Sequence, residues 1–241
     1  MKAGPVMPIT CPSWRGATVA CGAGEHKTGY LRRPTRLLHG CPAANRAGQV
    51  IEPAVRAAML RGLFQRRFSA MDRPLDSLLA DLDLPGHRAV AEHWLALYRE
   101  AGTVPSLARI DPLHFHRALP DAWIVDLTDD GRFQFRLMGE TLVQWYGRTA
   151  KGLYYQDLFP ADVVPVLEQQ SRLVLERPQA GFQRVHTNVP AGTHMPRAFE
   201  RLTFPLRDKA GDKITHILGN SIFNRAAGDP APEHEYWYPI P

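Results

Sequence analysis

The stretch from Phe133 to Arg148 constrains this chain more than any other. Phe133, Phe135 and Leu137 alternate with Gln134, Arg136 and Met138, the period-2 pattern of a strand with two unlike faces. Gly139 breaks the alternation, and Glu140–Tyr146 continues as a short amphipathic helix that stops at Gly147. Upstream, Ala122–Leu127 reads as a partner strand, and Thr128-Asp129-Asp130-Gly131 supplies the turn between them. Asp-Gly between two such runs is a hairpin signal.

Helices follow this hairpin before any further strand. Gly152–Pro160 suggests a helical turn or two, and Asp162–Glu176 a longer helix carrying Val163, Leu167 and Val174, closed by Pro178. Three strand-like runs come next: Gly181–Val189, Ala198–Arg207 and Lys213–Asn224. Ahead of the hairpin, Leu75–Leu84 predicts a short helix closed by Pro85-Gly86. Val90, Trp94, Leu97 and Ala101 then recur at helical spacing up to Gly102, a residue suited to a left-handed cap. Asp111-Pro112 opens a further helical turn with a cap residue and a first-turn proline. The predicted fold class is α+β: a five-stranded antiparallel sheet with helices on one face, because the sheet must bury its apolar side.

Charge separates the head from the rest. The formal net charge is +5, yet residues 1–70 hold eleven Lys/Arg against Glu25 and Glu52, a balance of +9. The remainder, with 18 basic and 22 acidic residues, stands at −4. The high pI therefore belongs to the head, and no basic patch on the later residues points to nucleic acid. Cys11, Cys21 and Cys41 all lie in the head, at spacings that fit no zinc signature. A chain without a disulfide framework fits a reducing cytoplasm. No run of eighteen apolar residues occurs, so no membrane span is expected.

The head is rich in Pro, Gly and Arg, and its first fifty residues lack an apolar period, so it reads as disordered or as sequence upstream of a true start at Met71. A short basic helix over residues 52–69 is conceivable but lacks a strong apolar face. The expected organisation is a disordered basic head over 1–70, a helical extension over 71–120, the sheet-bearing domain over 121–225 and a Pro-rich tail over 226–241.

The order of elements, together with particular residues, resembles the PAS fold, and more specifically a PAS family widespread in stand-alone alphaproteobacterial proteins of little-known function. The residues that carry the resemblance are Trp94 with Leu97, Val104-Pro105, Ile110-Asp111-Pro112, Leu119-Pro120, Phe135-Arg136-Leu137-Met138-Gly139, Tyr146-Gly147 before Gly152, and Glu200–Leu206. They span roughly residues 85–224. Met138 stands where the family usually has a small residue, which narrows any pocket there.

The resemblance implies a sensory or signalling module that binds a small ligand or a protein partner between sheet and helices. It argues against two cofactors. A covalent flavin needs a cysteine in the helical region, and haem a helix-borne histidine, and residues 139–176 contain neither. His114 and His116 lack a convergent third metal ligand, and no catalytic motif is visible, so neither metal nor catalysis is expected.

Candidate ligand residues follow from polar groups on apolar strand faces. Glu200 shares a face with Leu202, Phe204 and Leu206 and needs a partner, for which Arg136 is the candidate. This pair serves either to fix strand pairing or to anchor a ligand. Arg184, His186 and Asn188 share a second face, and Trp145, Tyr146 and Tyr155 are expected to wall the same cavity. No kinase, cyclase, phosphodiesterase or DNA-binding segment is recognisable, so output is expected through another chain. The helix over Val90–Ala101 is the expected dimer or docking element. The alternatives are a ligand-free interaction or scaffold module and, as an enzyme, an NTF2-like cone, which places its helices before most of its strands.

Overall fold

The computed structural model describes residues 71–186, 198–223 and 233–241, together with Ala54, Ala57, Ala58, Leu60 and Arg61. All of them belong to one compact unit, Gly40–Pro241. The three cysteines, most of the head, and Asn188 with its neighbours lie outside the described residues.

A brief strand β1 (Met71–Asp72) leads into the short helix α1 (Leu78–Asp81) and the long helix α2 (Pro85–Ala101). Pro85 opens α2 at its first turn, where a missing N–H loses nothing, instead of closing the helix before it. Gly102 ends α2 at φ 65°, in the left-handed conformation that glycine adopts without strain. The hairpin β2 (Ala122–Leu127) and β3 (Phe133–Met138) comes next, followed by α3 (Glu140–Tyr146), α4 (Tyr155–Leu158) and α5 (Val164–Glu176). Four strands complete the sheet: β4 (Gln179–His186), β5 (Ala198–Arg207), β6 (Ile214–Phe223) and β7 (His234–Pro239).

The sheet has seven strands in the order β1-β7-β4-β5-β6-β2-β3, which corrects the five-stranded expectation. The five expected strands occupy one contiguous side of it. The other two come from segments read as extension and tail. The last strand, β7, pairs antiparallel with β4, and β1 adds to β7 in parallel. Helices interrupt the strands after the hairpin β2–β3, the second of the five expected strands, and not before most of them as in an NTF2-like cone.

A second correction concerns the faces. Strand residues alternate between two apolar cores, and helices cover both. On one face Trp123, Val125, Phe135, Val185, Phe199 and Ile217 pack against Leu142, Tyr155 and Leu167 from α3, α4 and α5. On the other, Phe182, Leu202, Phe204, Leu206 and Leu218 pack against Val90, Trp94 and Leu95 of α2. Trp94 stacks on Phe204 at 4.8 Å and donates its indole N–H to the Pro205 carbonyl at 3.0 Å. The apolar side of α2 is thereby committed to the chain's own sheet and is not free to dock a second chain. With both sheet faces covered, β5 and β6 bury apolar side chains on both sides, Phe199 and Ile217 on one and Leu202 and Leu218 on the other.

Two glycines make close approaches possible. The ring of Trp123 lies over Gly219, its direct cross-strand partner, and a Cβ there would come within 2.1 Å of the indole. A Cβ on Gly139 would meet the carbonyl oxygens of Leu119 and Pro120 at 2.3 and 2.4 Å, so only glycine lets β3 turn into α3 at that point.

The described residues of the head include one in the core. Ala54, Ala57, Ala58, Leu60 and Arg61 are helical, Leu60 is 2% exposed within the α3–α5 core, and Arg61 pairs with Asp162 at 2.8 Å. The disordered head expected up to residue 70 therefore gives way over this short stretch.

Candidate functional site

The face covered by α3, α4 and α5 holds a cavity of about 30 Å³. Its floor comes from the hairpin, with Trp123 and Phe135, and from β5 and β6, with Phe199, Arg201 and Ser221. Its roof comes from the helices: Leu142 and Tyr146 of α3, Tyr155 of α4, and Leu167 of α5, with Phe159 and Met138 closing the sides. Met138 thus stands in the wall, where a small residue would leave more room.

Most of this lining is apolar, and its few polar groups are held in place. Trp123 donates its indole N–H to Ser221 Oγ at 2.9 Å. The Tyr155 hydroxyl meets Ser171 Oγ of α5 at 3.0 Å, which ties α4 to α5 over the cavity. Burial pushes the Tyr155 phenol up to about 12, against the Ser171 hydrogen bond, and burial likewise raises Tyr146. Both hydroxyls stay protonated in the physiological range.

Among the described residues, Arg201 is the one charged group in the wall. Burial lowers its pKa, while Tyr155, Glu235 and Tyr146 act in the opposite direction. A guanidinium stays cationic in either case, so this cavity carries a fixed positive charge. Gln170 of α5 accepts a hydrogen bond from it.

Register places Arg201 in a polar row. Glu235 of β7 lies directly opposite Gln183 of β4, Gln183 opposite Arg201 of β5, and Arg201 opposite Ser221 of β6. Residues directly opposite one another share a sheet face. Burial raises the pKa of Glu235, partly offset by Arg201.

Tyr146 and Phe159 have a second exposure. Together with Leu60, Gly147, Arg148 and Pro160 they also border an open groove of about 350 Å³. The two aromatic rings meet edge to face at 5.6 Å and separate groove from cavity.

The sequence-derived candidates scatter across this architecture. Tyr146 and Tyr155 wall the cavity. Trp145 is core, tilted against Phe223 at 5.1 Å. Arg136 does not reach Glu200. It lies on the edge strand β3, 44% exposed in its side chain, and pairs with Asp126 at 2.7 Å, because β6 and β2 separate β5 from β3. The partner of Glu200 is Arg184, at 2.9 Å on the adjacent strand.

Arg184 and Glu200 belong to the opposite face, beneath α2, and do not share a cavity with the tyrosines. Arg184 also reaches Asp83 at 3.1 Å, and His87 of α2 brings Nε2 to 3.8 Å from Glu200 Oε2. His87 is 0% exposed, and burial drives its pKa down to about 3. The geometry is that of an architectural ion pair joining sheet to helix. His186, half-buried at the end of β4, donates its backbone N–H to Glu233 at 2.6 Å and is part of neither cluster.

Sequence reasoning missed Arg201, Ser221, Gln183 and Glu235. The available signal was the odd-numbered face of β5, where Phe199, Arg201 and Thr203 also place one charge among buried neighbours.

A largely antiparallel sheet in this order, with helices inserted after the hairpin β2–β3 and a cavity beneath them, sets the frame for the family comparison. A family model described as PAS domain matches residues 82–221. The chain belongs to the PAS domain family. The match covers α2 through β6, so β1 and β7 are additions at one edge of the PAS sheet. A search of the curated proteins finds no match to the sequence. Membership supports a sensory or interaction role in general terms. Among the described residues, no helix is long and apolar enough to cross a membrane.

Proposed function

We propose that this PAS domain is a cytoplasmic, non-catalytic sensor that binds a small molecule in the cavity beneath α3, α4 and α5. The observation that carries the reading is a cationic side chain, Arg201, in the wall of an otherwise largely aromatic and aliphatic cavity. Gln170 accepts a hydrogen bond from this guanidinium and Glu235 favours its charged form, so it is held as a cation at the wall. Ligand sites combine an apolar lining with a few such convergent polar groups. Tyr146 and Phe159 form the gate from the outer groove, since they border both spaces.

On this reading a ligand acts through α3–α5. Widening a cavity of about 30 Å³ requires those helices to move, and a ligand that prefers the wider state shifts the population towards it. Signalling then passes to a partner chain that reads the helical face. Neither haem nor a covalent flavin is part of the proposal, because residues 139–176 contain no histidine or cysteine.

One observation favours a second reading, a ligand-free interaction module. The cavity is small enough that side chains nearly fill it. Native mass spectrometry of the full chain purified from cells, with a denatured control, separates the two. A small molecule retained in the folded protein and lost on denaturation is the result expected of a sensor. A bare protein whose amide spectrum is unchanged by a small-molecule library would leave the interaction module as the better account.

A further inference from the structure

A turn of helix from the head covers the outer side of the gate. Leu60 and Arg61 follow Ala57 by three and four residues, the spacing that places side chains on one face of a helix. Ala57 and Leu60 border the open groove beside Tyr146 and Phe159, and Arg61 reaches Asp162 at 2.8 Å. Of the five described residues of this turn, Leu60 alone is buried, and it belongs to the same apolar cluster as Tyr146 and Phe159. The other described members of that cluster lie between Trp123 and Trp237, so Leu60 is supplied from far upstream and from outside the family match at residues 82–221.

We propose that this turn is a displaceable lid on the cavity. Docked, it seats Leu60 in the groove and holds the Tyr146–Phe159 gate shut; released, it lets the two rings part. This rests on the cavity being a ligand site that fills through that gate. Three observations favour a lid over a fixed part of the core. The ion pair between Arg61 and Asp162 has both side chains 47% exposed and adds little to the attachment. No strand of the sheet includes the turn, so its release leaves every strand pairing in place. The gate rings stand where helices end, Tyr146 as the last residue of α3 and Phe159 directly after α4, so they can part without breaking either helix. Peripheral contacts of this kind open locally, ahead of global unfolding. Entry and exit at the cavity then follow lid opening.

The test places a thiol in the cavity wall by Ser221→Cys, a near-isosteric change at a residue only 5% exposed. Its modification by methyl methanethiolsulfonate in the full chain is followed by peptide mapping, which separates it from Cys11, Cys21 and Cys41. Leu60→Ala is expected to speed modification at position 221 at least tenfold. Leu95→Ala, an equal deletion beneath α2 on the opposite face, is expected to leave that rate within twofold of the parent. General destabilisation would not separate the two leucines in this way. Arg61→Glu, which turns the pair with Asp162 into a repulsion at the surface, is expected to speed modification at least twofold, and it carries the test should Leu60→Ala fail to fold.

Equal acceleration by Leu60→Ala and Leu95→Ala would mean that the cavity opens only when the whole domain unfolds, and would overturn the lid. Unchanged rates in Leu60→Ala and Arg61→Glu would overturn it as well. Dissolved xenon, followed by backbone amide shifts, reads the cavity separately. Shifts at β5 and α5 beside a failed lid would leave the cavity a ligand site. Lid-dependent modification without xenon shifts would keep the lid and overturn the cavity as a ligand site.

Discussion

Lowering the pH from 7 to 5 should destabilise this fold through His87. The ring is sealed between α2 and the sheet at 0% exposure, edge-on to Phe182 at 5.8 Å. Burial holds its pKa at about 3 against an ordinary 6.5; Asn220 opposes it, and the smaller influence of the Arg184 charge adds to the lowering. A depressed folded pKa means that the unfolded chain binds the proton first. Stability is therefore complete above pH 6.5 and is lost as pH falls from there towards 3. Linkage across the two pKa values gives a loss of about 2 kcal/mol between pH 7 and pH 5. Glu200, at 3.8 Å, pulls the other way but is already engaged by Arg184, so 2 kcal/mol is an upper figure. With a urea dependence of about 2 kcal/mol per molar, the unfolding midpoint should drop by about 1 M.

Other histidines contribute with the same sign, since burial also lowers His93 and His216. Urea unfolding of the parent and of His87→Leu at both pH values isolates the His87 share, because the variant lacks this proton site whatever its absolute stability. The reasoning fails if the two proteins lose the same stability between pH 7 and pH 5.

Two further perturbations test the packing around the site. Arg184→Met leaves Glu200 buried beside His87 and is expected to lower stability by about 3–5 kcal/mol, most of it recovered in Arg184→Met/Glu200→Leu. Chemical denaturation of both single variants and the double variant measures this, and a double variant as weak as the singles would show that the pair is not a closed unit. Leu60→Ala is expected to lower stability by about 2–5 kcal/mol, because that side chain is sealed into the α3–α5 core. A midpoint identical to that of the parent would mean that the segment around Leu60 does not pack there in solution.

How much of this was legible varies by element. The strands β2 to β6 were readable because alternation and turn residues mark them locally. The last strand was not. His234–Pro239 mixes polar and aromatic residues among prolines and shows no apolar period, and it is a strand because β4 offers it an edge. The cover on both faces was hidden for a related reason. Alternation shows that β5 has two unlike sides, but which side meets α2 and which meets α5 depends on packing far along the chain.

The site followed the same division. Tyr146 and Tyr155 sit in local motifs and were found, whereas Arg201 was passed over for its neighbour Glu200. Both residues are charges in the same strand. Only the cross-strand register reveals that Glu200 is neutralised by Arg184 and that Arg201 stands in a row with an unpaired amide. Pairing Arg136 with Glu200 requires their β-runs to be neighbours, whereas β6 and β2 lie between β5 and β3.

The position of β7 also has a consequence for synthesis. This strand lies between β1 and β4, and the Tyr238 hydroxyl donates to Asp81 across 157 residues of chain, at 2.8 Å. A ribosome delivers β1 and α1 early and β7 late, so the nascent domain must wait with an open β4 edge until residues 234–239 have left the exit tunnel. Long-range closure of this kind slows folding, and an open edge invites pairing with other strands. Stalled or truncated translation products of this protein are therefore the ones most exposed to edge-to-edge association, with the final strand serving as the seal on the domain.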